Sequence, residues 1–598
     1  MKNRILSALA IISLGFMINS CSDKRLNILP LNIVAADQAF ADESNVMAYL
    51  ASMYNQMPME DPSFYGLFHP QPTFTDEALN VLERQKSIIG DGTTFSWWGY
   101  TQVRNVNDFI ARIPKGTINE TLKKTMWGEA MFIRAYDYFQ MVKRYGGVPI
   151  IRTPQTFTGN NLAELQVPRN TEKEVYDFVI SNLDSAVLLL PETNIKGRVN
   201  KYSALAFKSR VMLFAASIAK YGTVQLNGLV GIPAANANAY WQGAMDAANL
   251  VILSGKYSLY TGVPDKTENF RSMFLLADNP ESILSRFYYY PDKAHSWDAY
   301  YLPVAIRGPS GFGSNMSPTL DLIEQFEYID GTSGMLPMGN PSAPIFYTNP
   351  LDIYKNRDPR LLASITVPFS SWRGTVVDVQ AGIYDALATP SKYIESMSFA
   401  TLYNPTTHKV DATTGTMHVV GSNGFISGEC TQTGSYVRKY MDDKLDKSLA
   451  KTGGSSQPYI ELRYAEVLLN YAEAAVELAN INEAKAKVNM VRARAGIALL
   501  DDASTTLSRI RHERMVELAF ENHRYWDARR WRIADQIWNN LSGQAIRPYW
   551  DIQASAYRFE RKAANTQFVK TFPVSLYYEK INTTQMTQNP KLVQNPGY

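Results

Sequence analysis

Six histidines, His69, His295, His408, His418, His512 and His523, are the first residues to weigh as metal ligands or general bases. No two stand four apart, so the spacing of a helical zinc site is missing. His512-Glu513 opens like a zincin helix, but Val516 holds the place of the second His. Two cysteines, Cys21 and Cys430, exclude a disulfide framework and any four-thiolate site. His418 precedes Cys430 by twelve residues, and a bland free thiol is the simpler reading. The glycine-rich run 308–313 is followed by Ser314-Asn315 rather than Lys-Ser/Thr, so it cradles no phosphate, and no G-x-S-x-G elbow occurs.

Paired carboxylates need more care, because a glycosidase needs only two. Asp76-Glu77 and the stripe Glu513, Glu517, Glu521 qualify by type. Arg509, Arg514 and Arg524 interleave the stripe, which reads as ion pairing along helix surfaces. Seven arginines between positions 509 and 532 face Glu513, Glu517, Glu521 and Asp527; a nucleic-acid surface does not neutralise itself in this way. No catalytic residue, metal ligand or cofactor is assigned.

Aromatic residues are abundant, with 10 Trp, 35 Tyr and 26 Phe. Aromatic faces offer flat contact to the C–H faces of sugars, and acids, amides and Arg bind hydroxyls. Two stretches mix these types. The first runs from Asp76-Glu77 through Arg84 to Trp97-Trp98, and the second holds Tyr288-Tyr289-Tyr290, Trp297, Tyr300 and Tyr301. Trp372-Arg373 is a third, weaker candidate. Alternation along a strand would turn about half of the second group outward.

The elements that must position them are mostly helices. Apolar periodicity predicts helices over 42–54, 101–113, 120–145, 171–190, 202–220 and 241–253. The helix 120–145 is apolar on nearly every side, and Gly146-Gly147 stops it. Thr171 with Glu174 forms a capping box. From 255 to 454 short apolar runs punctuated by Gly, Pro, Asn, Ser and Thr predict loops and short strands. Helical spacing returns over 465–479, 483–495 and, as one element, 508–531; the last sixty residues read as irregular. The Ala-rich helix pairs resemble tetratricopeptide units without a clean 34-residue period. The fold class expected is mainly α.

The chain has 598 residues, with 59 basic and 56 acidic side chains and a net charge of +3. Length alone suggests about four domains as a weak prior. Low charge content and many tyrosines exclude global disorder, and near-neutrality argues against a polyanion binder. Lys2 and Arg4 precede an apolar run over 5–18, too short to span a membrane and suited to a signal peptide. The end of that run, Asn19-Ser20-Cys21, resembles a bacterial lipobox, so Cys21 is expected to carry lipid after removal of residues 1–20. Asp23 just beyond resembles the surface-export signal of Bacteroidetes lipoproteins.

An ordered set of motifs resembles the SusD/RagB family of outer-membrane nutrient-binding lipoproteins. It includes Trp127-Gly128-Glu129-Ala130, Tyr145-Gly146-Gly147-Val148-Pro149, Val167-Pro168-Arg169, Asn356-Arg357-Asp358-Pro359-Arg360, Leu462-Arg463-Tyr464-Ala465-Glu466, Val491-Arg492-Ala493-Arg494-Ala495-Gly496, Arg524-Tyr525-Trp526-Asp527 and the tail Asn595-Pro596-Gly597-Tyr598. The resemblance implies one globular unit over 21–598, with an N-terminal helical part (21–254), a loop-rich part (255–454) and a C-terminal helical part and tail (455–598). It implies a scaffold of four divergent tetratricopeptide-like helix pairs, an irregular ligand-binding region, and glycan capture without catalysis. It also implies a TonB-dependent outer-membrane transporter (SusC-like) as partner, membrane attachment through the lipid anchor only, and no nucleic acid. Asp76, Arg84 and Trp97 or Trp98 match the family's ligand contacts, and Tyr288 to Tyr301 its aromatic platforms. A peptide-binding member of the same family is the alternative, and a glycoside hydrolase a remoter one.

Overall fold

The computed structural model describes residues 40–62, 70–80, 92–303, 306, 308, 313–425, 429–564 and 569–598. The helices that matter here are α1 (Glu43–Gln56), α2 (Tyr100–Arg112), α3 (Glu120–Tyr145), α4 (Glu172–Leu189), α5 (Lys201–Tyr221), α6 (Ala237–Leu253), α7 (Lys266–Met273), α8 (Trp297–Tyr301), α9 (Pro359–Ser364), α10 (Tyr464–Glu477), α11 (Ile481–Ala495), α12 (Leu507–Glu517) and α13 (Arg524–Arg530). The strands that matter here are β1 (Ser282–Arg286), β2 (Phe346–Tyr347), β3 (Gly382–Tyr384), β4 (Tyr393–Glu395), β5 (Tyr459–Arg463), β6 (Gln544–Asp551) and β7 (Ala556–Ala563). The fold is mainly α.

Local chemistry sets the helix ends. The Asn119 side chain accepts from the Thr121 and Leu122 amides at the start of α3. At its end Gly146 takes φ +72°, and a Cβ on Gly147 would lie 1.9 Å from the Asn170 carbonyl oxygen, so both positions require glycine. The Thr171–Glu174 capping box forms as expected. Gly496 closes α11 in the left-handed region.

Packing then arranges the helices in a stack. α2 lies on α3, α3 on α4, α4 on α5 and α5 on α6. The chain leaves for the loop-rich part, and α10 returns to pack against α6, with α11 and α12 beyond it. Ala244 and Ala248 of α6 and Ala465 and Ala472 of α10 are fully buried, and small side chains permit such close approach. β1 and β5 pair antiparallel, joining the outgoing and returning segments. Arg210 of α5 reinforces this junction through Glu466 (2.7 Å) and Glu461 (2.6 Å).

Three expectations are corrected. The stretch 508–531 is two helices, because Phe520 (φ +63°) and Asn522 (φ +62°) turn the chain between α12 and α13. Tertiary hydrogen bonds hold that turn: the Phe520 amide donates to Glu77 Oε1 (3.0 Å) and Asn522 Nδ2 donates to the Glu60 carbonyl (2.6 Å). The tail is not irregular throughout, since β6 and β7 form an eight-residue hairpin in the sheet order β4-β3-β6-β7-β2. Pro548 and the charged residues Arg547, Glu560, Arg561 and Lys562 mask the strand alternation in the sequence. Glu513, Glu517 and Glu521 do not pair along a helix surface. They are buried with Arg360, Arg463, Arg492, Arg494 and Lys439, at 2.6–2.8 Å in the Arg360, Arg463 and Lys439 pairs. This charge cage bolts α9 and the segment around Lys439 onto the helical stack.

Candidate ligand-binding face

The second aromatic stretch grows from β1. Arg286, its last residue, pairs with Asp61 (2.5 Å) and donates to the Met57 carbonyl (2.8 Å). Tyr288 is half-buried; its hydroxyl donates to Asp61 Oδ2 (2.6 Å) and its ring meets His295 edge-on at 4.7 Å. Tyr289 and Lys293 exchange both backbone hydrogen bonds, closing a tight turn with Tyr290 near its tip. Tyr289 is 57% and Tyr290 45% exposed. Tyr289 overlooks a groove of about 350 Å³ whose other walls include Ala51, Tyr54, Gly197, Phe287 and Lys293. Arg198 also lines it, but its guanidinium is committed to Glu129. The rings therefore stand on a rigid base, which lowers the entropy lost when a ligand orders them.

Trp297, Tyr300 and Tyr301 are corrected to core residues. All three lie in α8 and are less than 8% exposed. Trp297 Nε1 donates to the Lys439 carbonyl (3.1 Å), and its ring packs on Tyr301 at 4.7 Å and Tyr440 at 5.6 Å. Three-residue helical spacing, not strand alternation, governs this segment, and it points the rings inward. Trp372 is likewise 2% exposed, and Arg373 donates to the Asp442 carbonyl, so the third candidate is structural.

The first stretch divides. Arg84 lies outside the described residues, as does Cys21. Asp76 forms a two-pronged pair with Arg524 (2.8 and 2.7 Å) and accepts from Trp538 Nε1 (3.3 Å). Burial pushes its carboxyl up most strongly, but the Arg524 charge together with the hydrogen bonds from Arg524 and Trp538 holds it below its ordinary value. It braces α13 and is not available as a free hydroxyl acceptor. Trp97 is half-buried; its amide donates to the Tyr145 hydroxyl (2.9 Å) and its ring folds over Gly99, where a Cβ would lie 1.9 Å away. Trp98, also half-buried, sits against Tyr100 (5.2 Å) and Tyr145 (5.1 Å) and lines a separate groove of about 150 Å³ with Pro149, Ile151 and Leu165.

A buried polar spine underlies both stretches. Arg144 of α3 donates to the Phe95 carbonyl (2.6 Å), two residues before Trp97, and pairs with Glu60 (2.8 Å). Glu60 also receives Lys143 (2.8 Å) and Trp526 Nε1 (2.7 Å), and its neighbour Asp61 anchors Tyr288. Burial opposes ionisation of Glu60, yet Lys143 and Arg144 hold its carboxyl at about 2. Sequence reasoning missed Glu60 and Asp61, because nothing in their local pattern announces partners more than eighty residues away.

The remaining chemical candidates are used structurally. His512 faces the Gln325 carbonyl (2.9 Å), Glu513 is in the charge cage, and Cys430 is buried and in no disulfide among the described residues. Among the described residues no three His, Cys, Asp or Glu side chains are grouped as a metal would require. No described helix is long and apolar enough to cross a membrane.

Comparison with known proteins bears on this architecture. The family model described as "SusD family" matches residues 280–598, and one described as "Starch-binding associating with outer membrane" matches residues 32–213. SusD-like protein P38 of Formosa agariphila is 25% identical over 582 residues, covering 92% of this chain and 96% of that one. The crystal structure of a SusD-like protein from Bacteroides fragilis superposes with a TM-score of 0.68 at 25% identity, covering 95% of this chain and all of that one. A SusD-like carbohydrate binding protein from the same species superposes at 0.65 with 20% identity, covering 93% of this chain and all of that one. With its C-terminal half matched to the family model and more than nine-tenths of its length matched to individual members, this chain belongs to the SusD family.

Proposed function

We propose that this protein captures oligosaccharide or polysaccharide at the cell surface and hands it, without catalysis, to a TonB-dependent outer-membrane transporter. The observation that carries the reading is the exposed Tyr289 at the edge of a groove, on a turn anchored by the Arg286–Asp61–Tyr288 network, with the exposed Tyr290 next to it in the chain. Exposed rings on a fixed backbone suit the apolar face of a sugar. The family membership and the carbohydrate binding named for a structural relative support the same reading. Cys21 is the lipid attachment point in this proposal, and the 1–20 segment its signal peptide. Catalysis finds no support in the acid pairs, because Asp76 is tied to Arg524, and Glu513 and Glu517 are tied to arginines.

The deciding experiment is calorimetric titration of the mature chain against panels of neutral oligosaccharides and of peptides, with an assay for new reducing ends. Glycan binding with no new reducing ends supports the reading. Binding confined to peptides, or release of reducing ends, overturns it. For the anchor, Cys21→Ser should move the folded protein out of the outer-membrane fraction; unchanged fractionation refutes that part.

A further inference from the structure

A second groove, of about 440 Å³, lies between the end of α5 and the C-terminal segment 574–597, remote in sequence from the Tyr289 face. Tyr221, Tyr577 and Tyr578 wall it, Thr223, Gln225 and Ser575 contribute to its polar lining, and Arg532 is the one charged residue lining it. Pockets of this size hold small molecules of one to a few rings.

Arg532 is the exception in an arginine-rich stretch. Arg509, Arg511, Arg514, Arg524, Arg529 and Arg530 each have a carboxylate partner. Arg532 forms no ion pair among the described residues. Its guanidinium lies 4.6 Å from the Tyr577 ring centre and 4.8 Å from that of Tyr578. Nη2 donates to the Tyr578 hydroxyl (2.7 Å), which in turn donates to Glu172 (2.7 Å), and Nη1 only reaches the Arg529 carbonyl at 3.4 Å. The fork thus keeps N–H groups for an incoming anion. The other acids nearby are engaged: Glu477 with Tyr221 and Lys220, and Asp535 with Tyr577. Because all three tyrosine hydroxyls are held by carboxylates, the rings are fixed in place before any ligand arrives.

We propose that this groove is a separate binding site for an acidic sugar, a pyranose bearing one carboxylate. The carboxylate meets the Arg532 fork, for which a planar guanidinium is geometrically matched. The sugar ring lies against the tyrosines, and its hydroxyls meet Thr223, Gln225 and Ser575. An aromatic acid would satisfy Arg532 but leave those polar groups unpaired, which disfavours it. Glu172 offsets part of the Arg532 charge through the Tyr578 hydroxyl, and a neutral sugar would leave the remaining guanidinium N–H groups without an anionic acceptor.

The site does not depend on the Tyr289 face and stands or falls separately. The test is calorimetry on the mature chain with glucuronate, glucose and benzoate at matched ionic strength. Glucuronate should bind at least tenfold more tightly than either of the others. Arg532→Gln should weaken glucuronate at least tenfold. Should Arg532→Gln fold poorly, Thr223→Trp, a change at an exposed position, should block the groove to the same extent. Absence of glucuronate binding, equal binding of glucose or benzoate, or full binding in a folded variant of either kind overturns the proposal.

Discussion

Replacing Glu77 with Gln tests whether the Asp76–Glu77 pair is structural. Glu77 is 1% exposed, accepts from the Phe520 amide (3.0 Å) and lies 3.2 Å from the Thr75 hydroxyl. Burial, aided by the neighbouring Asp76 charge, pushes its carboxyl from 4.5 up to about 7. Since the folded value is the higher one, the folded state binds the proton more tightly. Its stabilising contribution is therefore complete below about pH 4.5 and is lost as pH rises through 7. At 1.36 kcal/mol per pKa unit, that loss is about 3 kcal/mol. Gln has nearly the same shape, can accept from the Phe520 amide and cannot ionise. The variant should match wild type near pH 4.5 and exceed it by about 3 kcal/mol at pH 8, which is about 3 °C in Tm for a chain of this length. Thermal melts of both proteins from pH 4.5 to 8 give the difference directly, and contributions common to both cancel. A gap that does not grow with pH, or that grows in the opposite sense, would refute a buried, proton-holding Glu77.

Three further outcomes follow from the same geometry. Tyr289→Ala should cost on the order of 2 kcal/mol in glycan affinity, roughly thirtyfold, with Tm unchanged, whereas Trp297→Ala should cost about 3–5 kcal/mol in stability because its ring is buried; calorimetry and melts on each variant separate the two effects. Glu517→Ala removes the carboxylate shared by Arg360, Arg463 and Arg494 and should destabilise by about 3–5 kcal/mol in urea unfolding. Glu60 and Glu473 are both held at about 2, because neighbouring Lys and Arg charges outweigh burial; their stabilisation is present above about pH 4.5 and lost as pH falls through 2, so the urea midpoint should drop across that window, and a midpoint flat in pH there contradicts the pairing.

Much of the scaffold was legible because it rests on local rules. Helix periodicity, the Thr171–Glu174 box and the glycines at 146 and 496 act within a few residues, and the elements formed where those signals lay. The aromatic runs were also visible, since residue type is local information. What each ring does was not. Tyr289 and Trp297 are eight residues apart and chemically alike, yet one is 57% and the other 7% exposed. That split depends on α8 docking into the core around Lys439 and Tyr440, which lie far along the chain. The same holds for charge. Arg532 and Arg530 are neighbours in sequence, but only tertiary packing brings Glu473 to one and leaves the other facing a tyrosine-lined groove. Local sequence therefore determined where the helices begin and end, because capping and periodicity act over one or two turns. The tertiary structure decided which acids, arginines and rings are left for ligand, because the partners that take up the rest arrive from up to several hundred residues away.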